Sequence, residues 1–255
     1  SSHRTSSTLP LIERGQTTAT IRANVADDAG QTTTYEASIH ARGANRARIN
    51  SGSSLYLRDI IGKIPSVSFT PEDQRLVSGD PGARRTMMNQ AAALLEPGYM
   101  QTLQQFTRIA KQRATLLKQL NANVNNGQPM DAVLSGLEIW TGQFIEAGVA
   151  LTRMRAHVIG LLAEPFAAIY ADLAGAGEQV TLTYAPSFDE VLMFDDPHPQ
   201  ISEHFQRIYP GEVARGVNLI GPQRDDMNLE LGGIPAREFA SNGEMWTMAL
   251  GWKMV

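Results

Sequence analysis

Two periodicities divide the chain. Over residues 17–25 and 32–42 apolar and polar positions alternate in threonine-rich, β-branched text, the pattern of half-buried strands. Asp27-Asp28-Ala29-Gly30 between them reads as a turn, which makes the pair a hairpin. Residues 44–50 and 54–57 add short strands around Ser51-Gly52, extending the hairpin into an antiparallel meander. Residues 65–69 read as a short buried strand, and Thr70 then caps a helix with Pro71 at its first position.

The period then changes to 3–4. Tyr99, Leu103, Phe106, Ala110, Leu117 and Leu120 lie on one face of a helix over residues 99–120. Arg113 falls on that stripe, so its stem is expected to pack while its guanidinium snorkels to an edge. Residues 121–129 read as a polar, helix-breaking loop. A second stripe, with Leu137, Phe144, Leu151 and Val158, continues until Pro165 is expected to kink or break it. The two helices form an antiparallel hairpin.

Residues 179–184 alternate as a strand. Residues 191–196 put four apolar residues before two acids, like a Mg²⁺-binding strand, but Pro197 and Pro199 follow and favour a loop or short element. Residues 201–215 predict a polar helix interrupted near Pro210-Gly211, and residues 217–220 and 227–231 predict strands. Gly232-Gly233 is a turn, and the apolar text from Glu244 to Met254 predicts a buried helix.

Composition narrows the function classes. The chain has 255 residues, no cysteine and a formal charge of −4, which excludes disulfides and thiolate metal sites and fits a reducing cytoplasm. No apolar run approaches the roughly 20 residues of a membrane span, so no membrane partner is expected. The first residues lack an apolar signal core and an initiator Met, which places Ser1 inside a longer protein. Charge is unevenly placed: over residues 97–130 the only charged side chains are Arg108, Lys111, Arg113 and Lys118. If Arg108, Lys111 and Lys118 share an exposed face, they suit phosphate contacts with DNA, although a solvated basic face gives the same pattern.

Two further groups carry candidate chemistry. Ser241 and Gly243 directly before a helix leave a hydroxyl and backbone N–H groups at its positive end, either an anion site or an ordinary serine cap. Asp225-Asp226 beside Arg224 forms either a metal site or, more simply, an arginine–carboxylate cluster fixing a turn.

Gly221-Pro222-Gln223-Arg224-Asp225-Asp226 followed by Phe239-Ala240-Ser241-Asn242-Gly243-Glu244 strongly resembles the C-terminal part of the RecF family. These are bacterial recombinational repair proteins with an ABC/SMC-type ATPase head. Phe69-Thr70-Pro71-Glu72-Asp73, with Arg84-Arg85 beyond it, is a second match, and the basic text from Arg108 to Lys118 a third. The chain departs from the family text at Gln223, where histidine is common, at Asn242 and Glu244, where glutamine is common, and at Asn89, where aspartate is usual.

The resemblance implies an α/β fold: an incomplete ABC-type ATPase head lobe with an antiparallel β meander, plus an inserted helical lobe built on a long helical hairpin. The implied division is 1–80 and 178–255 for the head lobe, with the signature motif in the second part, and 81–177 for the helical lobe. It implies that Ser241, Asn242, Gly243 and Glu244 are the signature that contacts the γ-phosphate of ATP on the opposite subunit of a homodimer. Glu244 would set a negative charge beside that phosphate. Arg4, Glu72 and Asp73 are implied near the nucleotide, although a solvated terminal arginine and helix-start acids explain them equally simply. ATP and Mg²⁺ are the implied cofactors of the full-length family. Single-stranded and gapped duplex DNA and RecO- and RecR-type proteins are the implied partners, in recombinase loading.

No Gly-x-x-x-x-Gly-Lys-Ser/Thr occurs in the chain, and no apolar strand ending in acids follows Lys253. The phosphate cradle and the Mg²⁺ ligands of a Walker pair are therefore missing, no catalytic residue is assigned, and the chain alone is expected to be inactive. The alternative is an ATPase-dead interaction module that recruits a protein through its helical hairpin.

Overall fold

In a computed structural model, residues 7–60, 63, 69–127, 129, 131–175, 177 and 179–255 are described. The chain divides into two compact units, 1–72 and 73–255. The first is the meander. Strands β1 (Thr18–Ala26), β2 (Thr32–His40), β3 (Arg46–Ile49) and β4 (Leu55–Tyr56) pair in that order, all antiparallel. The hairpin register runs from Thr18 opposite His40 to Ala26 opposite Thr32. Asn50 and Ser51 turn the chain between β3 and β4 with φ of 49° and 58°. Among the described residues, Ile39 and Ala47 are its buried apolar side chains, both on one face of a thin sheet.

The second unit is mostly helical. Its elements are α1 (Arg75–Ser78), α2 (Pro81–Leu95), α3 (Tyr99–Asn126), α4 (Asp131–Ala174), β5 (Val180–Ala185), α5 (Glu190–Met193) and α6 (His198–Arg215). They are followed by β6 (Asp226–Leu231), β7 (Ile234–Pro235), α7 (Ala236–Phe239) and α8 (Asn242–Met254). β5, β6 and β7 form a second antiparallel sheet. α4 is the core helix, packed on α2, α3, α6, α8 and β5. Phe144 on α4 meets Phe106, Phe188 and Phe205 at centroid distances of 5.0, 6.1 and 5.9 Å. Gly148 lets this layer close, because a Cβ there would lie 2.5 Å from the Phe188 ring.

The strands 17–25, 32–42, 179–184 and 227–231, the helix over 99–120 and the C-terminal helix lie where the periodicities put them. Several expectations are corrected. α3 does not stop at Leu120 but runs to Asn126, where Gly127 closes it in the left-handed conformation. Asn121 is spent on the Ala214 carbonyl rather than on breaking the helix. Pro165 and Pro210 neither end nor interrupt their helices. Both prolines are exposed, as are Leu161 and Gln206, whose carbonyls they release, so solvent is available to those carbonyls.

Residues 217–220 form no strand. Side chains take their backbone groups instead: Glu212 accepts from the Leu219 N–H, and Arg224 donates to the Asn218 carbonyl. The helix start at Thr70 is a 3₁₀ turn, Pro71–Gln74, leading into α1. Residues 65–68 of the expected short strand lie outside the described residues, and Phe69 is exposed and not in a strand. Residues 191–196 are the short element expected there, the end of α5 and an extended exit.

α4 also corrects the hydropathy reading. It carries an 18-residue window of mean hydropathy 1.3, long and apolar enough by composition to cross a membrane. α4 packs on α2, α3, α6, α8 and β5, and 28% of that window is buried.

Candidate nucleotide and DNA site

Arg113 does not snorkel. It is 1% exposed, and α6 brings Glu212, fully buried, against it. Nη1 and Nη2 donate to the two Glu212 carboxylate oxygens at 3.0 and 2.6 Å, Nη1 also to Asn218 at 2.7 Å, and Nε to Thr141 at 2.9 Å. Phe205 and Phe144 flank the guanidinium at 4.6 and 5.3 Å. The charge is thus paired both electrostatically and by hydrogen bonds, which makes its burial tolerable. The tie locks α3 to α6.

Arg108, Lys111 and Lys118 are all exposed on α3. At 100° per residue they fall within an arc of about 80°, so the helix presents them together.

The Gly-Pro-Gln-Arg-Asp-Asp segment is held from below. Asp225 is fully buried and accepts from Arg155 at 2.7 Å, from the Ser187 N–H at 2.8 Å and from the Tyr184 hydroxyl. Arg155 also donates to the Pro222 carbonyl at 2.7 Å, to Asn89 at 3.0 Å and to the Tyr99 hydroxyl at 3.0 Å. Burial, together with the Asp225 charge, raises the Tyr184 pKa far above the phenol range, so its hydroxyl remains a donor. Burial likewise raises that of Tyr99.

Asp226 takes a two-pronged contact from Arg84 at 2.6 and 2.8 Å, and Arg85 donates to the Asp225 carbonyl at 2.8 Å. The arginine–carboxylate cluster therefore exists, but its arginines are Arg155, Arg84 and Arg85 rather than Arg224. With both carboxylates engaged this way, the pair is built as a brace. Gly221 (φ 119°) completes it, because a Cβ there would stand 2.5 Å from the Phe144 ring.

Ser241 is the N-cap of α8. Its hydroxyl accepts from the Glu244 N–H at 3.3 Å, and the Glu244 carboxylate accepts from the Ser241 N–H at 2.6 Å, a reciprocal capping box. The hydrogen bonds from Ser241 hold the Glu244 carboxyl below its usual pKa range. Ser241, Asn242 and Gly243 are exposed. A Cβ at Gly243 would meet only the Ser241 hydroxyl, at 4.0 Å, so the approach to the helix start is open.

The Glu72-Asp73 text reaches the same helix by a route the sequence did not show. Asp73 pairs with Lys253 at 3.0 Å, both mostly buried, and Gln74 donates to the Asn242 side chain at 3.1 Å. Glu72 lies half-buried in the preceding 3₁₀ turn. Arg4 lies outside the described residues. Sequence reading missed Arg155, Gln74 and Lys253. Only Arg155 left a signal, as a charge within the apolar stripe of α4.

An antiparallel meander in the first unit, and in the second a long helical hairpin and a short sheet leading to a capped Ser-x-Gly helix, are the elements that the expected α/β fold calls for. Two solved structures of RecF, a recombination mediator protein of the RecFOR pathway, share this fold. The ATP form has a TM-score of 0.85 at 19% identity, covering 99% of this chain and 66% of that one. The form with the ATP analogue has the same score at 20% identity, covering 100% and 67%.

Sequence relatives carry the assignment further. The chain is 97% identical over 254 residues to the DNA replication and repair protein RecF of Bifidobacterium longum subsp. infantis, and 68% identical over 256 residues to that of Bifidobacterium adolescentis. It is 37% identical over 255 residues to RecF of Streptomyces avermitilis, spanning 68% of that protein. The chain belongs to the RecF family of DNA replication and repair proteins. It spans 62% and 63% of the length of the two Bifidobacterium relatives. No protein-family model matches it.

Proposed function

We propose that this chain supplies the central part of an ATP-dependent DNA-binding repair protein. In it Ser241, Asn242 and Gly243 at the start of α8 meet the γ-phosphate of ATP held by the other subunit of a homodimer. The observation that carries the reading is the exposed, serine-capped Ser-x-Gly start of a 13-residue helix in a RecF-family chain. First-turn N–H groups and the helix dipole favour an anion there. Glu244 opposes it, because its carboxylate already accepts from the Ser241 N–H. ATP with Mg²⁺ would supply the transferable phosphoryl group and the charge that bridges the two subunits.

The braced segment beneath, Arg155 with Asp225 and Arg84 with Asp226, fixes the entry to β6, three elements before α8. Asp73 acts in this reading as a positioning residue through Lys253. Arg108, Lys111 and Lys118 give a sequence-independent DNA contact. RecO- and RecR-type partners and recombinase loading at single-stranded and gapped DNA belong to the same proposal, which the RecFOR pathway of the two solved structures supports.

The test uses the full-length Bifidobacterium longum subsp. infantis relative carrying this segment. Ser241→Arg should leave ATP binding to the monomer intact and abolish ATP-dependent dimerisation in sedimentation. Dimerisation equal to the parent's would overturn the assignment of α8.

A further inference from the structure

Residues 189–203 contain five acids, Asp189, Glu190, Asp195, Asp196 and Glu203, and neither lysine nor arginine. In the middle of this acidic text stand four apolar residues. α5 is a single turn, and successive residues on a helix diverge by about 100°, so one turn cannot direct them all inward. Val191 and the preceding Phe188 take the core. Leu192, Met193 and Phe194 are left 54%, 67% and 45% exposed, side by side.

The surroundings hold this patch still. Arg153 on α4 donates to the Asp195 carbonyl at 2.8 Å. His198 joins Asp196 at 2.7 Å to Glu146 of α4 at 3.4 Å, and His204 on α6 meets Glu190 at 2.7 Å. An apolar centre of leucine, methionine and phenylalanine on a fastened segment loses little freedom when it is covered. Aromatic residues and methionine are also side-chain types that protein interfaces concentrate.

We propose that Leu192, Met193 and Phe194 are the apolar anchor of a docking surface for a protein partner whose matching apolar pocket is framed by lysine or arginine. Charge selects the occupant. The anionic rim of Asp189, Asp195 and Asp196 repels nucleic-acid phosphate, so the patch does not extend the DNA face of α3. A second copy meeting it across a two-fold axis would bring the same acids against themselves. A cationic rim around an apolar pocket satisfies both features. This surface is independent of the nucleotide reading of α8.

The experiment places the photoreactive side chain benzoylphenylalanine at position 193 of the full-length protein and irradiates cells. A cross-link to another protein is expected, at a site of that protein rich in lysine or arginine. With that protein purified, Asp189→Lys/Asp195→Lys and, separately, Leu192→Ser/Met193→Ser should each weaken binding at least tenfold. The charge variant's binding should also lose its salt dependence. All four positions are exposed, so the variants should melt with the parent and bind DNA equally. Cross-linking only within the same chain, to DNA, to a second copy or to nothing would overturn the proposal. So would purified binding that is indifferent to both variants.

Discussion

Arg113 shows how one residue is decided by its partners. On α3 alone it is a basic residue on an apolar stripe, and the low-cost solution is to reach water. In the fold Glu212 from α6 arrives with both oxygens, and Asn218 and Thr141 take two more of its donors. Removing one partner leaves the other as a buried, uncompensated charge. Arg113→Ala should therefore cost about 3–5 kcal/mol in urea unfolding, whereas Arg113→Met combined with Glu212→Leu should recover most of that loss. A double variant no more stable than the single one would show that packing, not charge, sets the cost. Arg155 with Asp225 follows the same logic.

Among elements, α3 carries two faces with separate duties. Its inner face locks it to α4 and α6, and its outer face carries Arg108, Lys111 and Lys118. In the full-length protein with ATP, changing these three to glutamate should weaken DNA binding. The slope of log affinity against log salt should flatten by about 0.9 for each duplex phosphate that is no longer neutralised. Superimposable salt curves for parent and variant would make the hairpin a scaffold or a protein-docking element. α8 is likewise divided: its start is open, while Lys253 near its end is held by Asp73.

At the scale of the whole molecule, the chain holds α8 and its supports without a Gly-x-x-x-x-Gly-Lys-Ser/Thr cradle. The lysine and backbone amides of that cradle stabilise the transferring phosphoryl group. The 255-residue chain by itself should release no phosphate from ATP above a buffer blank, with or without Mg²⁺. Metal-dependent release that Ser241→Arg abolishes would relocate the nucleotide site.

The sequence by itself determined the elements whose periodicity is local. The β1–β2 hairpin, α3 and α4 as amphipathic partners, β6 with its diglycine turn, and the serine cap of α8 depend on neighbours within a few residues. The family motifs were legible for the same reason, as contiguous text. What only the tertiary structure decided are the contacts made across long separations. Arg84 finds Asp226, Arg155 finds Asp225, Arg113 finds Glu212 and Gln74 finds Asn242. None of these choices is visible from either partner alone, because a charge beside an apolar stripe is settled by whatever the fold brings opposite it. The same holds for the prolines. Whether Pro165 and Pro210 end a helix depends on whether the freed carbonyl faces water or protein, which the fold decides.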